Sequence, residues 1–243
     1  MKIIHELETF AINEDLNVDV VDIDDDHKAL IIDDFYKDPD AIRKIADESY
    51  FTCSKNIIFD SPVWKSVQTF DLKHICEFAS MITQEIYGNR LGVTRMNFMI
   101  NAFKVTQTPQ DYFLIHNDGS IFSAIIYLNI PDECDGGTSF WRHKKTKLQA
   151  MPHFNYHNHM IPSSDRKLLE EMLGEITHEK LKEMTLKEIY NSKNLDNWEM
   201  TYEVPMKYNR MVMYPASYFH SMALNLDTMF KNNWRIIQSC MFG

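Results

Sequence analysis

His116 and Asp118 stand two residues apart in the stretch Ile115-His116-Asn117-Asp118-Gly119-Ser120, and a further histidine, His220, ends the run Tyr214-Pro215-Ala216-Ser217-Tyr218-Phe219-His220. Side chains at i and i+2 leave an extended backbone on the same face, so one imidazole and one carboxylate can reach a single metal ion without bending the chain. His220 lies 220 − 116 = 104 positions beyond His116 and supplies a third ligand if its strand lies beside the first. Two histidines and one carboxylate leave coordination positions open and suit Fe(II) outside a haem. Spacing by itself decides little. With 10 His and 35 acidic residues in 243 positions, chance supplies 10 × 35/243, roughly one, His-x-acid triplet. The elements that must position the three side chains therefore carry the weight.

Those elements divide the chain in two. Ala29 to Phe35 is apolar enough for a buried strand, and Asp38-Pro39-Asp40 then offers a cap and a first-turn proline for a helix through Ser49. Apolar residues at Phe70, Ile75, Phe78, Ala79 and Ile82 predict a second helix over Val67 to Tyr87, stopped by Gly88. From Asn97 the character changes. The segments Asn97 to Val105, Phe122 to Asn129, Arg210 to Tyr214 and Trp234 to Phe242 are short, rich in β-branched and aromatic residues and separated by turn formers, which predicts an antiparallel sheet system. Ser163 to Tyr190 interrupts it with helical spacing, and Thr185-Leu186-Lys187-Glu188 matches a capping box. The expected architecture is α+β and mainly β, in one domain over 1–243. N-terminal helices pack on the β core, and a helical insertion spans about 151–205.

Composition narrows the function classes. A net charge of −10 repels phosphate backbones, so no nucleic-acid partner is expected. The longest apolar run, Phe122 to Ile130, falls short of the roughly 20 residues of a membrane span, and the start Met1-Lys2-Ile3-Ile4-His5-Glu6 lacks a secretory pattern. No membrane partner and a cytoplasmic location are the expectations. Cys53, Cys76, Cys134 and Cys240 are scattered, which fits buried free thiols better than a disulfide framework or a zinc knuckle.

Six pieces in a fixed order resemble the prolyl-4-hydroxylase-like branch of the Fe(II)/2-oxoglutarate-dependent oxygenases. They are Ile31-Ile32-Asp33-Asp34-Phe35, the His116-Asn117-Asp118 pair, Ile125-Ile126-Tyr127-Leu128-Asn129, the turn Gly136-Gly137-Thr138-Ser139-Phe140, Asn209 to Pro215 with His220, and Arg235. The resemblance implies a double-stranded β-helix, a jelly-roll, cupin-like barrel with the metal inside one open end. It implies His116, Asp118 and His220 as ligands of Fe(II), with room for 2-oxoglutarate and O2. The implied activity is a dioxygenase that decarboxylates 2-oxoglutarate to succinate and hydroxylates an unactivated C–H of a small molecule, an amino acid or a peptide side chain. Halogenases of this class carry a small residue in place of the carboxylate, and Asp118 argues against that chemistry.

Arg235 is implied as the anchor of the distal carboxylate of 2-oxoglutarate, since a guanidinium matches a carboxylate by two parallel hydrogen bonds. It follows His220 by 235 − 220 = 15 positions, more than the family's usual spacing, so a longer turn must intervene. Alternation puts Arg235, Ile237, Ser239 and Met241 on one face of the last strand. Arg210, just before a strand, is the rival, and Tyr127 is implied as a hydroxyl reaching the same cosubstrate. Other groupings have plainer readings. His153, His157 and His159 cluster without an acidic neighbour and suit a loop, while Asp22, Asp24 and Asp26 begin like a calcium loop but meet His27 where glycine belongs. Arg142, His143, Lys144, Lys145 and Lys147 read as a solvated strand end or as a cationic rim at the barrel mouth. A non-catalytic jelly-roll binding module and a cosubstrate-independent cupin remain the alternatives. A homodimer stays open, because the amphipathic insertion can cover its own barrel or a neighbour's.

Overall fold

Two antiparallel sheets, held face to face, organise the chain. Residues 6–54, 63–70, 72–88, 94–101, 115–150, 195–223 and 234–243 are described in the computed structural model. The larger sheet joins β1 (Val18–Asp22), β2 (Lys28–Ile32), β3 (Phe51–Ser54), β4 (Val63–Phe70), β5 (Thr94–Asn101), β6 (Phe122–Tyr127), β9 (Met211–Pro215) and β11 (Arg235–Phe242). Its spatial order is β1-β2-β9-β6-β11-β5-β4-β3. The smaller sheet orders β10 (His220–Ala223), β7 (Gly137–His143) and β8 (Trp198–Pro205) as β10-β7-β8. The helices are α1 (Glu6–Thr9), α2 (Pro39–Glu48) and α3 (Lys73–Tyr87).

Period-2 alternation divides the larger sheet into two chemically different faces. On its outer face Ile236, Cys240 and Phe242 of β11, Ala124 and Ile126 of β6, and Met211 and Met213 of β9 pack against Ile42 and Ala46 of α2 and Ile75, Ala79 and Ile82 of α3. On its inner face Ile237, Tyr127, Val212 and Tyr214 meet Phe140 and Val204 of the smaller sheet. The start of α2 and the end of α3 follow their sequences. Asp38 caps α2 by accepting from the Ala41 N–H at 3.1 Å, ahead of Pro39 in the first turn, and α3 stops at Gly88 with φ +73°. The acidic hairpin between β1 and β2 uses Asp24 as its turn former. One carboxylate oxygen accepts from the backbone of Asp26 and His27 and contacts the His27 ring at 2.7 Å.

Several boundaries differ from the sequence expectation. The second helix starts at Lys73 rather than Val67, because Val63–Phe70 pairs as a strand with both β3 and β5. The residues expected to form a turn at Gly136–Phe140 divide differently. Gly136 alone makes the bend, with φ +69°, and Gly137 opens β7. Residues 198–205, expected within the helical insertion, form β8 and complete the smaller sheet, since their alternation matches β7 over the register Gly137↔Pro205 to His143↔Trp198. The helical stretch expected over Ser163–Tyr190 lies outside the described residues, as do His153, His157 and His159.

Gly137 is where the two strands approach most closely. A Cβ there would overlap the Val204 carbonyl oxygen and come within 2.9 Å of the Met206 nitrogen, both rigid backbone atoms. The Gly137→Ala protein is therefore expected to lose about 1–3 kcal/mol of stability, or more. Urea unfolding at equilibrium measures this, and an unchanged midpoint would contradict the close approach.

Candidate metal centre

The segment carrying the first two candidate ligands is laced to the start of β10, which carries the third. His116 and His220 exchange both backbone hydrogen bonds, each 2.9 Å, and form an isolated antiparallel bridge. Directly opposed residues in such a pair project to the same side, so a separation of 104 positions is closed by two N–H···O bonds. Asp118 continues the lacing by donating its N–H to the Ala216 carbonyl at 2.8 Å. Ala216 in turn donates to Ile121, and Ile121 to Phe242 at the end of β11. Neither His116 nor Asp118 belongs to a regular strand. Their shared orientation comes from this pinned, extended loop.

The side chains converge as the backbone dictates. His116 Nε2 lies 3.6 Å from Asp118 Oδ1, and His220 Nε2 lies 3.5 Å from Asp118 Oδ2. The two imidazole centroids are 4.3 Å apart, and one ligand atom from each residue lies within 4.8 Å of the others. Among the described residues this is the one His, Cys or acidic grouping close enough to hold a metal ion. Its outer partners suit the task. His220 Nδ1 lies 2.9 Å from the Tyr218 carbonyl, which can only accept, so the proton sits on Nδ1 and the Nε2 lone pair faces Asp118. Ser123 donates its hydroxyl to Asp118 Oδ2 at 2.6 Å and fixes the oxygen that faces His220.

Electrostatics favour a neutral imidazole beside an ionised carboxylate. Burial, followed by the neighbouring His116, pushes His220 down to about 4, so its ring is unprotonated at neutral pH. Burial works the other way on Asp118, but His220, His116 and the Ser123 hydroxyl outweigh it and hold the carboxyl below its ordinary range. Lys65 of β4 acts in the same direction. One anion flanked by two nitrogen lone pairs is the donor set of a divalent transition metal.

Arg235 shares the inner face of the larger sheet with Ile237. It is only 2% exposed, and its guanidinium carbon is 5.6 Å from the centre of the Tyr127 ring. Its charge acts on His220 and on Tyr214, which places it within electrostatic reach of the triad. Burial pulls its own pKa down, opposed by Tyr127 and Tyr214. The Tyr127 hydroxyl is 2.6 Å from Thr138 Oγ1 of the facing sheet. Two-residue alternation along β11 thus brings Arg235 inward with Ile237, while Gln238 points outward to meet the Tyr36 hydroxyl at 2.6 Å.

The rival arginine is engaged elsewhere. Arg210 grips Asp33 through Nε at 2.6 Å and Nη2 at 3.0 Å, and Lys207 adds a third contact at 2.9 Å. Arg210, then Lys207, bring Asp33 down to about 2 against the opposing effect of burial. An aspartate depressed in this way adds stability above its unfolded value of about 3.9, and loses it as pH falls through about 2. The Arg210→Ala protein should therefore be about 1 kcal/mol less stable at pH 7, a small effect because solvent screens the pair. The deficit should shrink between about pH 4 and 2. Thermal unfolding across that range tests it, and a deficit that stays constant at low pH would exclude the ion pair as its source.

Three members of the basic run after Phe140 have protein partners. Arg142 pairs with Glu199 at 3.0 Å, Lys144 donates to the Asp196 carbonyl at 2.8 Å, and His143 is buried against Thr146. Three groups near the triad escaped the sequence reading, namely Ser123, Tyr214 and Lys65. Counting back by twos from Tyr127 would have put Ser123 on the inner face. Tyr214 follows in the same way from Val212, and its register partner across β6 and β9 is Ser123.

No curated protein matches this chain by sequence. Among solved structures, the chain is similar to the non-heme alpha ketoglutarate dependent epimerase SnoN from nogalamycin biosynthesis. The identity is 11%, over 88% of this chain and 75% of the other, with a TM-score of 0.47. It is similar to the carbocyclase SnoK of the same biosynthesis at 13% identity, over 88% and 78% of the two chains, with a TM-score of 0.47. A Pseudomonas putida prolyl-4-hydroxylase is similar at 12% identity, over 90% and 96%, with a TM-score of 0.45. Over residues 14–235 the sequence matches the model of the family of unknown function DUF6445, and the chain belongs to that family.

Proposed function

We propose that this protein is an Fe(II)- and 2-oxoglutarate-dependent oxygenase of the prolyl-4-hydroxylase-like branch. Its two facing sheets are read as the walls of a double-stranded β-helix. The supporting observation is a buried arginine, Arg235, whose charge reaches His220 of the His116–Asp118–His220 triad. A metal site alone fits many chemistries. A metal site next to a sequestered guanidinium fits a ligand that chelates at one end and carries a carboxylate at the other.

In this reading His116, Asp118 and His220 hold Fe(II), and Arg235 receives the distal carboxylate of 2-oxoglutarate with Tyr127 beside it. When bound, Fe(II) with 2-oxoglutarate and O2 supplies the oxidising power for inserting oxygen into an unactivated C–H bond, releasing succinate and CO2. The chain's own residues do the rest. Ser123 and the Tyr218 carbonyl orient two of the ligands. Phe140, Val212 and Ile237 give the chamber apolar walls that limit entry of water. The substrate is a small molecule, an amino acid or a peptide side chain.

Succinate release is the decisive measurement. Anaerobically purified protein is loaded with Fe(II) and screened against amino acids and short peptides, with 2-oxoglutarate and O2 each withheld in turn. Turnover that needs all three supports the reading. Substrate conversion that proceeds without 2-oxoglutarate would replace it with a cosubstrate-independent metal enzyme.

A further inference from the structure

The Tyr214 hydroxyl has no counterpart in the site as assigned so far. Tyr214 is 1% exposed, and its Oη makes no hydrogen bond to any described residue. The ring is held from several sides. Its centroid lies 4.8 Å from that of His220 and 5.0 Å from that of Phe140, and Ser123 is its register partner across the sheet. Phenylalanine would fill the same volume, as Phe140 does opposite, without stranding a polar atom. A buried hydroxyl left unmet costs about 1–3 kcal/mol. Such an atom at the heart of a chamber points to a ligand.

The surroundings define the ligand's chemistry. The ring packs against the His220 imidazole and stands opposite Ser123, whose hydroxyl holds Asp118, so the phenol belongs to the immediate surroundings of the triad. The Arg235 charge reaches it as well. A phenol is protonated at neutral pH, so it offers a donor and calls for an acceptor oxygen. A ligand held by the triad brings oxygen atoms into this neighbourhood.

We infer that the Tyr214 hydroxyl donates a hydrogen bond to an oxygen of the 2-oxo acid as that molecule spans the chamber from the His116–Asp118–His220 triad to Arg235. This rests on the function proposed above and adds to it a second tyrosine, on the strand opposite Ser123, as a cosubstrate-binding residue. Tyr214 thereby discriminates among 2-oxo acids by an oxygen placed to receive its proton.

Tyr214→Phe tests this with two readouts that do not depend on turnover. The metal-free variant should unfold at the same temperature as the native chain or higher, because it loses an unsatisfied hydroxyl and no contact. Its affinity for 2-oxoglutarate, measured by calorimetry on protein loaded with Mn(II), should fall at least about tenfold, since a hydrogen bond to a charged acceptor is lost. Mn(II) affinity itself should stay unchanged. Equal 2-oxoglutarate affinity in both proteins would overturn the inference while leaving the oxygenase reading intact, and would assign the hydroxyl to an ordered water. A variant that unfolds early or does not fold would overturn it as well, by giving the hydroxyl a structural role. Native protein that binds Mn(II) but no 2-oxoglutarate would sink both proposals together.

Discussion

The Asp118→Ala protein is expected to bind Fe(II) more than about a hundredfold more weakly than the native chain and to form no succinate above background. The magnitude follows from the position of this carboxylate. It faces both imidazoles, at 3.6 and 3.5 Å, and is the single anion of the set. Even outer partners of metal ligands are worth about 10–100-fold in affinity, so loss of the charged ligand itself exceeds that range. Ser123→Ala offers a graded comparison. It removes the 2.6 Å hydrogen bond that orients Asp118, together with the 3.2 Å contact to Ser120 Oγ, and should weaken metal binding by about 10–100-fold. Acid acts on the same donors. His220 must be unprotonated to bind, and burial already brings it down to about 4, so metal affinity should hold through weakly acidic solution and collapse toward that value. Without metal, a histidine depressed below its unfolded value of about 6.5 costs stability as pH falls from there toward 4. Equilibrium dialysis across pH checks the affinities. Full Fe(II) binding by Asp118→Ala would remove the triad from the account.

Arg235→Met is expected to separate cosubstrate binding from metal binding. Losing one partner of a buried charge pair costs about 2–5 kcal/mol, which corresponds to roughly 30- to 5,000-fold in affinity for 2-oxoglutarate. Fe(II) affinity should change little, because the guanidinium acts on the triad only through space. Arg235→Lys should recover part of the affinity, because an ammonium is a point charge without the planar fork. Arg210→Ala is the control. Its guanidinium is committed to Asp33, so 2-oxoglutarate affinity should not move. Turnover by Arg235→Met at the native KM for 2-oxoglutarate would shift the reading toward a metal enzyme that uses no cosubstrate.

Much of this site can be read from local chemistry, and the reasons differ residue by residue. The two-residue spacing of His116 and Asp118 needs only an extended backbone to bring their side chains together, whichever sheet the segment joins. The inward turn of Arg235 follows from alternation in an apolar strand, because Ile236 and Cys240 must face the helices. Asp38 with Pro39, and Gly88, marked helix ends through caps that depend on a few adjacent residues. Strand β4 was misread for the opposite reason. Val67–Phe70 carries no signal that outweighs the apolar period of the following helix, and its strand character arises from pairing with β5 through Thr69↔Asn97 and Phe70↔Met96. β8 was hidden likewise, since its partner β7 lies more than fifty positions upstream.

Sequence alone determined which residues can ligate a metal, which strand carries an inward arginine, and that the chain is mainly β behind N-terminal helices. Those properties depend on side-chain type and on periods of two or 3.6 residues, which any local segment displays. Only the tertiary structure decided that His220 meets His116 through a reciprocal backbone bridge, that Arg210 belongs to Asp33, and that Tyr214 buries a hydroxyl beside His220 with no hydrogen-bond partner among the described residues. Each of these depends on which distant segment arrives at a given position. That is set by the packing of two sheets against each other, and no local pattern contains it.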